Sequence, residues 1–288
     1  MISTCQHSFV KGRSCLTNLL ESSEQWAMAL DNGYGVDVLY LDYRKAFDSV
    51  PHNRLIYYKL TTASFNGKLL TWLSSFLADR TMRVGVPGSY STWFYMFSGV
   101  PQGSVLGPIL FLLYVNDLPN WITCSMREFE NNTKIWDIIK SDSVCSDLQM
   151  DIDVLVQSNK WLLHFNTDKC KVMSPGHSVH HDYCMTDLSG THIMSRTSEE
   201  KDLGIFITDT LKPSVQCTKA AARACSILAM IRRNFKRLDC EDFLIIYKTY
   251  IRPHLEYAIQ SWSPYLHNYI QCLESVQWAA TRLISSFK

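Results

Sequence analysis

The sequence lacks several features that define whole classes of proteins. It has ten cysteines, but no two of them form a Cys-x-x-Cys pair, so neither a zinc ribbon nor a disulfide-stapled domain is indicated and reduced thiols are expected. A secretory leader pattern and an apolar run of membrane-spanning length are also missing. These absences predict an intracellular protein, in the nucleus or the cytoplasm, with no membrane partner.

A strong charge of either sign is absent as well. The net charge is only +1, so any basic surface for nucleic acid must be local. What the sequence does have is apolar residues, which make up 47% of its 288 positions. That content supports a sizeable core in one large or two small domains.

The stretch from Asp37 to Asp48 organises the chain. An apolar run rich in strand-forming residues ends at Asp42, and a short amphipathic segment follows. A buried strand that delivers a carboxylate at its end is a good place to hold a divalent metal. The competing interpretation is that Asp42 caps a helix beginning near Tyr43.

A glycine-rich loop, residues 98–104, precedes an apolar helix predicted for Leu106–Asn116. Such a loop can let backbone N–H groups approach a phosphate or a base pair, although a plain helix-entry turn has the same pattern. Before the loop, residues 81–97 predict a hairpin that turns at Pro87-Gly88.

Other elements follow from hydrophobic periodicity and capping signals. The predictions are a helix over Leu16–Ala29 capped by Ser14, a strand pair over Ser125–Ile139, a helix over Leu148–Leu163, a short strand over Lys201–Ile205, and helices over about Val215–Phe235, Glu241–Trp262 (interrupted at Pro253) and Tyr269–Ser286.

Two polar clusters each have two interpretations. One has the spacing of metal ligands but lies in an expected solvent loop, which favours an unliganded loop; it comprises His177, His180, His181 and Cys184. The other is basic and lies near a helix end, where it either faces solvent or grips a phosphate backbone; it comprises Arg232, Arg233, Lys236 and Arg237.

Taken in order, these stretches resemble the reverse transcriptase (RNA-directed DNA polymerase) domain of non-LTR (LINE-type) retrotransposons. The matching segments are Leu41-Asp42-x-x-Lys45-Ala46-Phe47-Asp48 for the first palm motif, Ser98-Gly99-Val100-Pro101-Gln102-Gly103-Ser104-x-x-Gly107-Pro108 for the second, residues 129–134 for the aromatic-Ala-Asp-Asp turn, Asn166-x-x-Lys169-Cys170 for the lysine motif and Leu203-Gly204 for the primer-grip hairpin.

The resemblance implies an α+β fold of the right-hand polymerase type. Its palm would be an antiparallel sheet with packed helices, joined to partial fingers and an α-helical thumb. The implied domains are residues 1–36 as a remnant of the fingers and palm entry, 37–210 as the palm with a fingers insertion around 53–97, and 211–288 as a helical thumb-like region.

The implied chemistry is template-directed DNA synthesis. A DNA primer on an RNA template would attack an incoming deoxynucleotide, with two Mg²⁺ ions stabilising the attacking and leaving oxygens. By the resemblance, Asp42 and the Tyr43 carbonyl ligate metal, Phe47 excludes a ribose 2′-hydroxyl, Gln102 and Gly103 lie against the nascent base pair and template, and Lys169 protonates pyrophosphate.

The chain departs from its family at the turn, which reads Glu130-Asn131-Asn132 where the family has Ala-Asp-Asp. Asparagine keeps the shape but removes the anionic oxygens that Mg²⁺ prefers. Losing such a clamp on a transition state commonly costs several kcal/mol. We therefore expect an inactive or severely impaired enzyme in which Mg²⁺ binding is doubtful.

Further departures agree with this expectation. The sequence begins at the first family motif, where Ser8 and Val10 replace glycine and arginine, so the upstream fingers strands, an endonuclease domain and a Cys-His knuckle are expected to be missing.

Three alternatives remain open. The first is a pseudo-polymerase that binds RNA or an RNA–DNA hybrid through Lys169, Arg232, Arg233 and Lys236. The second is an active enzyme that uses Asp42 and Glu130. The third is a decayed reading frame whose product is unstable because exposed strand edges and apolar surface aggregate.

Overall fold

A computed structural model describes residues 2–157, 162–176, 181–187, 190–235 and 239–286. The chain forms two compact units, the first from residues 1–18 and 29–197 and the second from residues 19–28 and 198–288. Helices and strands are mixed throughout the sequence, which confirms the α+β class. The division into palm, fingers and thumb stays a prediction.

The first unit contains the central sheet and most of the strands. Its helices are α1 (Cys15–Asp31, of which residues 19–28 group with the second unit), α2 (Ala46–Ser49), α3 (His52–Arg54), α4 (Gly67–Leu77), α5 (Leu106–Val115) and α6 (Asp142–Gln157), with a π-helical stretch at Leu55–Leu60 and a 3₁₀ turn at Leu118–Asn120. Its strands are β1 (Gly35–Asp42), β2 (Thr81–Met82), β3 (Gly85–Val86), β4 (Ser89–Tyr90), β5 (Phe94–Tyr95), β6 (Ser125–Phe129), β7 (Asn132–Ile139), β8 (Lys171–Met173), β9 (Cys184–Asp187), β10 (Gly190–Ile193) and β11 (Ser195–Arg196).

The second unit is mainly helical. It contains β12 (Glu199–Asp202), β13 (Ile205–Thr208), α7 (Ser214–Asn234), α8 (Cys240–Ile246), α9 (Arg252–Glu256) and α10 (His267–Ser286), with a π-helical stretch at Tyr247–Ile251 and a 3₁₀ turn at Ile259–Ser261. Leu228, Phe243 and Val276 from α7, α8 and α10 are buried in one core. Pro253 stands in the first turn of α9, a position that tolerates proline because its missing N–H would have no helical partner there. The chain is nevertheless helical without a break from Cys240 to Glu256, so the predicted interruption is only a change from π-helical to α-helical geometry, and α9 ends at Glu256, before Trp262.

Strand β1 is the centre of a five-stranded sheet with the order β11-β8-β1-β7-β6. It runs antiparallel to both β7 and β8. The continuous apolar run predicts burial on both faces, and Val38 and Leu39, whose side chains alternate across the strand, are fully buried. Asp37 is also buried, but its carboxylate accepts hydrogen bonds from Tyr183 (2.7 Å) and Ser174, which offset the cost of desolvation.

Most predicted elements are confirmed, among them α1, α5, α7, α10, the β6–β7 pair and the Ser14 cap, whose hydroxyl accepts from the Thr17 N–H at 3.2 Å. The helix predicted for Leu148–Leu163 begins too late, because Cys145 starts the same buried face one turn earlier and α6 begins at Asp142. The described part of α6 extends to Gln157, and Leu162 and Leu163 lie outside the helix. Trp161, assigned to that helix, lies outside the described residues.

The single strand predicted for Lys201–Ile205 is wrong. Leu203 and Gly204 have φ values of 45° and 95°, and they turn the chain between β12 and β13, which pair antiparallel. Two successive residues with positive φ fit the right-handed twist of a tight hairpin. In the described part of the chain, no helix combines the length and the apolar character needed to cross a membrane.

Candidate active site

Asp42 is the last residue of β1 and lies opposite Asn132 of β7. The chain then leaves the strand without entering a helix. The next helix, α2, begins only at Ala46, where Lys45 is left-handed (φ 52°) and no side chain caps the first turn. The interpretation of Asp42 as a helix cap is therefore wrong, and its carboxylate stands at a strand end.

The Asp42 carboxylate contacts two of the other predicted site residues. Lys169 Nζ lies 3.0 Å from Asp42 Oδ2, and Asn131 Nδ2 donates to Asp42 Oδ1 at 3.4 Å. The Asp42 carbonyl accepts from the Asn166 N–H at 2.7 Å, which places the segment leading to Lys169 against the strand end. The structure thus brings Asp42, Asn131 and Lys169 together, with Asn132 across the strand pair.

This donor set does not fit the two Mg²⁺ ions that the resemblance implies. One carboxylate paired with one ammonium group has no net charge, whereas a small hard cation needs several anionic oxygens. The Asn131 amide adds a neutral group whose N–H points at that carboxylate. Among the described residues, no group of three or more His, Cys, Asp or Glu side chains could hold a metal ion.

The N-terminal segment stabilises the turn by hydrogen bonds. Glu130 is in a left-handed conformation (φ 55°), and its N–H donates to Ser8 Oγ at 2.9 Å and to Gln6 Oε1 at 3.3 Å. Gln6 and Ser8 are almost completely buried. Within the described residues, no hydrogen bond or ion pair joins the Glu130 carboxylate to Asp42 or Lys169.

A second carboxyl group near the turn is buried. Glu128 of β6 is 1% exposed, and its backbone N–H donates to the Cys5 carbonyl at 2.9 Å. Burial, reinforced by the neighbouring Asp117 carboxylate, raises the pKa of Glu128 to about 8. Glu128 is not among the predicted site residues, although the two-residue period of β6 places it on the same buried face as Met126.

The glycine-rich loop is hydrogen-bonded to α2. The Val100 N–H donates to the Phe47 carbonyl at 2.8 Å, and the Phe47 ring stacks on Phe111 with centroids 4.8 Å apart. At the loop's end, Ser104 Oγ accepts from the Gly107 N–H at 2.9 Å, as in a helix-entry turn, and the approach of the loop to a phosphate or a base pair stays a prediction. Gln102 and Gly103, the two residues predicted to face template, lie at the exposed tip between these contacts.

Gly99→Ala is expected to lower the free energy of unfolding by about 3 kcal/mol. Gly99 has φ +85°, and a Cβ there would lie 2.8 Å from Asp48 Cα, a backbone atom that cannot move aside easily. Gly103→Ala is the matched control, because Gly103 has φ +88° with nothing within 4 Å of its Cβ position. Urea unfolding should therefore give a loss of only about 1 kcal/mol for the control; equal losses would contradict the close-approach argument.

The basic cluster belongs to the second unit. Arg232 and Arg233 lie in the last turn of α7 and are exposed, so both remain available to solvent or to a ligand. Lys236 and Arg237 lie outside the described residues. So do His177 and His180 of the possible metal cluster, whose interpretation as an unliganded loop stays a prediction.

Comparison with known proteins identifies the lineage. The family model described as reverse transcriptase (RNA-dependent DNA polymerase) matches residues 1–183. The RNA-directed DNA polymerase from mobile element jockey of Drosophila melanogaster is 27% identical over 265 residues, covering 85% of this chain and 28% of that protein. The probable RNA-directed DNA polymerase from transposon BS, also from Drosophila melanogaster, is 37% identical over 116 residues, 40% of this chain and 12% of that protein.

Among solved structures, apo telomerase from Candida tropicalis truncated from its C-terminal domain matches with a TM-score of 0.47 and 11% identity, over 72% of this chain and 40% of the telomerase chain. The present chain spans about a quarter to a third of the length of the jockey and X-element polymerases. The family match covers more than half of the chain and includes Asp42, the glycine-rich loop and the turn. The chain belongs to the reverse transcriptase (RNA-dependent DNA polymerase) family, and its relatives are the polymerases of non-LTR retrotransposons.

Proposed function

We propose that this chain is a reverse transcriptase domain that binds nucleic acid but does not catalyse nucleotidyl transfer. The supporting observation is the state of Asp42, the one acidic residue that matches the family's metal-binding positions. Its carboxylate is bound to Lys169 at 3.0 Å and to the Asn131 amide at 3.4 Å. A carboxylate already neutralised by its own protein, beside two amides, lacks the charge to hold a pair of divalent cations next to a triphosphate.

The proposal assigns nucleic-acid contacts to the remaining family positions. In this proposal, Phe47 contacts the sugar of a nucleotide. Its ring is fixed by stacking on Phe111, and its carbonyl accepts a hydrogen bond from the glycine-rich loop. Gln102 and Gly103 at the exposed loop tip contact the template, and Arg232 and Arg233 contact phosphates. The chain would then bind nucleic acid without catalysing nucleotidyl transfer, because cationic side chains contact the phosphates and metal ligands are not needed for that contact.

Primer extension on an RNA template tests the proposal. We expect no Mg²⁺-dependent product from the unchanged chain, in a reaction where an active viral reverse transcriptase serves as the positive control. The same preparation should bind an RNA–DNA hybrid with an affinity that falls as salt increases. Extension by the unchanged chain would contradict the proposal; if Glu130→Gln then abolished that activity, Glu130 would be the missing metal ligand.

A further inference from the structure

A small hairpin of the first unit displays an unusual number of aromatic rings. This aromatic hairpin, residues 81–97, consists of two short antiparallel pairs, β2 with β5 and β3 with β4. Every residue from 81 to 95 is exposed. The exposed rings and their exposed fractions are Tyr90 67%, Trp93 58%, Phe94 59%, Tyr95 67% and Phe97 86%. Large exposed apolar groups that cluster in this way mark an interaction site.

Backbone hydrogen bonds order the hairpin. Its base is closed by the Met96 N–H, which donates to the Arg80 carbonyl at 2.8 Å, and its middle by the Ser91 N–H, which donates to the Val84 carbonyl at 2.8 Å. Tyr95 and Phe97 lie on the same arm, with their ring centroids 6.4 Å apart. Rings held in this way lose little conformational entropy when a flat ligand stacks on them.

One cation lies among the rings. The Arg83 guanidinium carbon is 4.1 Å from the centroid of Tyr90 and 4.6 Å from that of Trp93. Within the described residues, no carboxylate or carbonyl accepts a hydrogen bond from Arg83. A guanidinium group that two rings hold in place can present its free edge to a phosphate as a planar, bidentate donor.

The charge of the surrounding segment favours an anionic ligand. From Arg80 to Asn116 the sequence contains two arginines and no aspartate or glutamate. Arg80 is engaged internally, because its guanidinium donates to the Gly99 carbonyl, so Arg83 supplies the exposed charge. Aromatic rings that stack bases beside a cation that binds phosphate are the features of sites for single-stranded nucleic acid.

We propose that the aromatic hairpin is a binding site for single-stranded nucleic acid, with bases stacked on Trp93 and Tyr90 and a phosphate on Arg83. The site uses none of the residues around Asp42. It therefore binds a strand whether or not the polymerase turn supports chemistry. Duplex nucleic acid is a poor ligand, because its bases are already stacked on one another.

The test is the fluorescence anisotropy of a labelled 12-nucleotide oligouridine, titrated with the whole chain at several salt concentrations. Trp93→Ala is expected to weaken binding roughly tenfold. Arg83→Ala should weaken binding and reduce the slope of log K against log salt by about 0.7, the contribution of one phosphate on a single strand. Arg83→Lys should keep that slope but lose affinity, since lysine cannot stack or bind in a bidentate manner.

Trp72→Ala is the matched control, because Trp72 is 53% exposed on α4 and lies outside the hairpin; it should bind as the unchanged chain does. Unaltered affinity in both Trp93→Ala and Arg83→Ala, with the fold confirmed by circular dichroism, would overturn the proposal. So would a chain that self-associates through the hairpin and becomes monomeric in Trp93→Ala with no change in oligonucleotide affinity, which would identify a protein-docking face. Neither result depends on primer extension, so a failure here is separable from a failure of the proposed function.

Discussion

The double substitution Asn131→Asp, Asn132→Asp should let the chain extend a primer at a rate at least about 10³-fold above that of the unchanged chain. In the register of the sheet, Asn132 lies opposite Asp42, and Asn131 already reaches the Asp42 carboxylate. Two new carboxylates at these positions would surround one site with three negative groups. That charge should attract Mg²⁺, which would displace the Lys169 ammonium group from Asp42.

The melting temperature with and without Mg²⁺ tests the same prediction without relying on enzymatic activity. Three carboxylates in close proximity repel one another without metal, so Mg²⁺ should raise the melting temperature of the double variant and leave that of the unchanged chain unaltered. The triple variant that adds Asp42→Asn is the control and should lose both effects. If the double variant is folded but neither binds Mg²⁺ nor extends a primer, charge at the turn is not what limits this chain.

Stability should fall as the pH rises from about 4.5 to 8, and Glu128 should account for about 3–5 kcal/mol of that loss. The pKa of Glu128 is raised to about 8 in the folded chain by burial and by the Asp117 carboxylate. Because the folded state keeps the proton while the unfolded state releases it, the stabilisation is fully present below pH 4.5. It is lost progressively until the folded pKa is reached.

Glu128→Gln removes the titrating proton and keeps the shape of the side chain, so its free energy of unfolding should vary much less over this pH range. The measurement is urea unfolding at half-unit intervals of pH. Thr133→Val is the matched control: Thr133 lies opposite Glu128 in the β6–β7 pair and is also buried, but it does not titrate here. The control should change the free energy of unfolding by a similar amount at every pH. If the free energy of unfolding of Glu128→Gln still falls with pH as steeply as that of the unchanged chain, another group is responsible for the pH dependence.

The sequence alone determined the family and the order of the main elements. The Lys-Ala-Phe-Asp and Pro-Gln-Gly blocks place Asp42 at the end of a strand and Gln102 in a loop before a helix, and both placements hold. Periodicity and turn chemistry predict β1, the β6–β7 pair and α5, because each depends on residues within a few positions of one another. The replacement of two acidic residues by Asn131 and Asn132 is likewise visible in the sequence.

Only the tertiary structure decided what surrounds these residues. Gln6 supports the turn from 124 positions away, Lys169 reaches Asp42 from the segment that leads into the neighbouring strand β8, and Glu128 is buried. Local patterns report which residue types alternate along an element, but not which distant polar groups meet. The register of β1 against β7 and β8, together with the packing of the N-terminal segment on β6, brings those groups together, and that arrangement belongs to the assembled sheet.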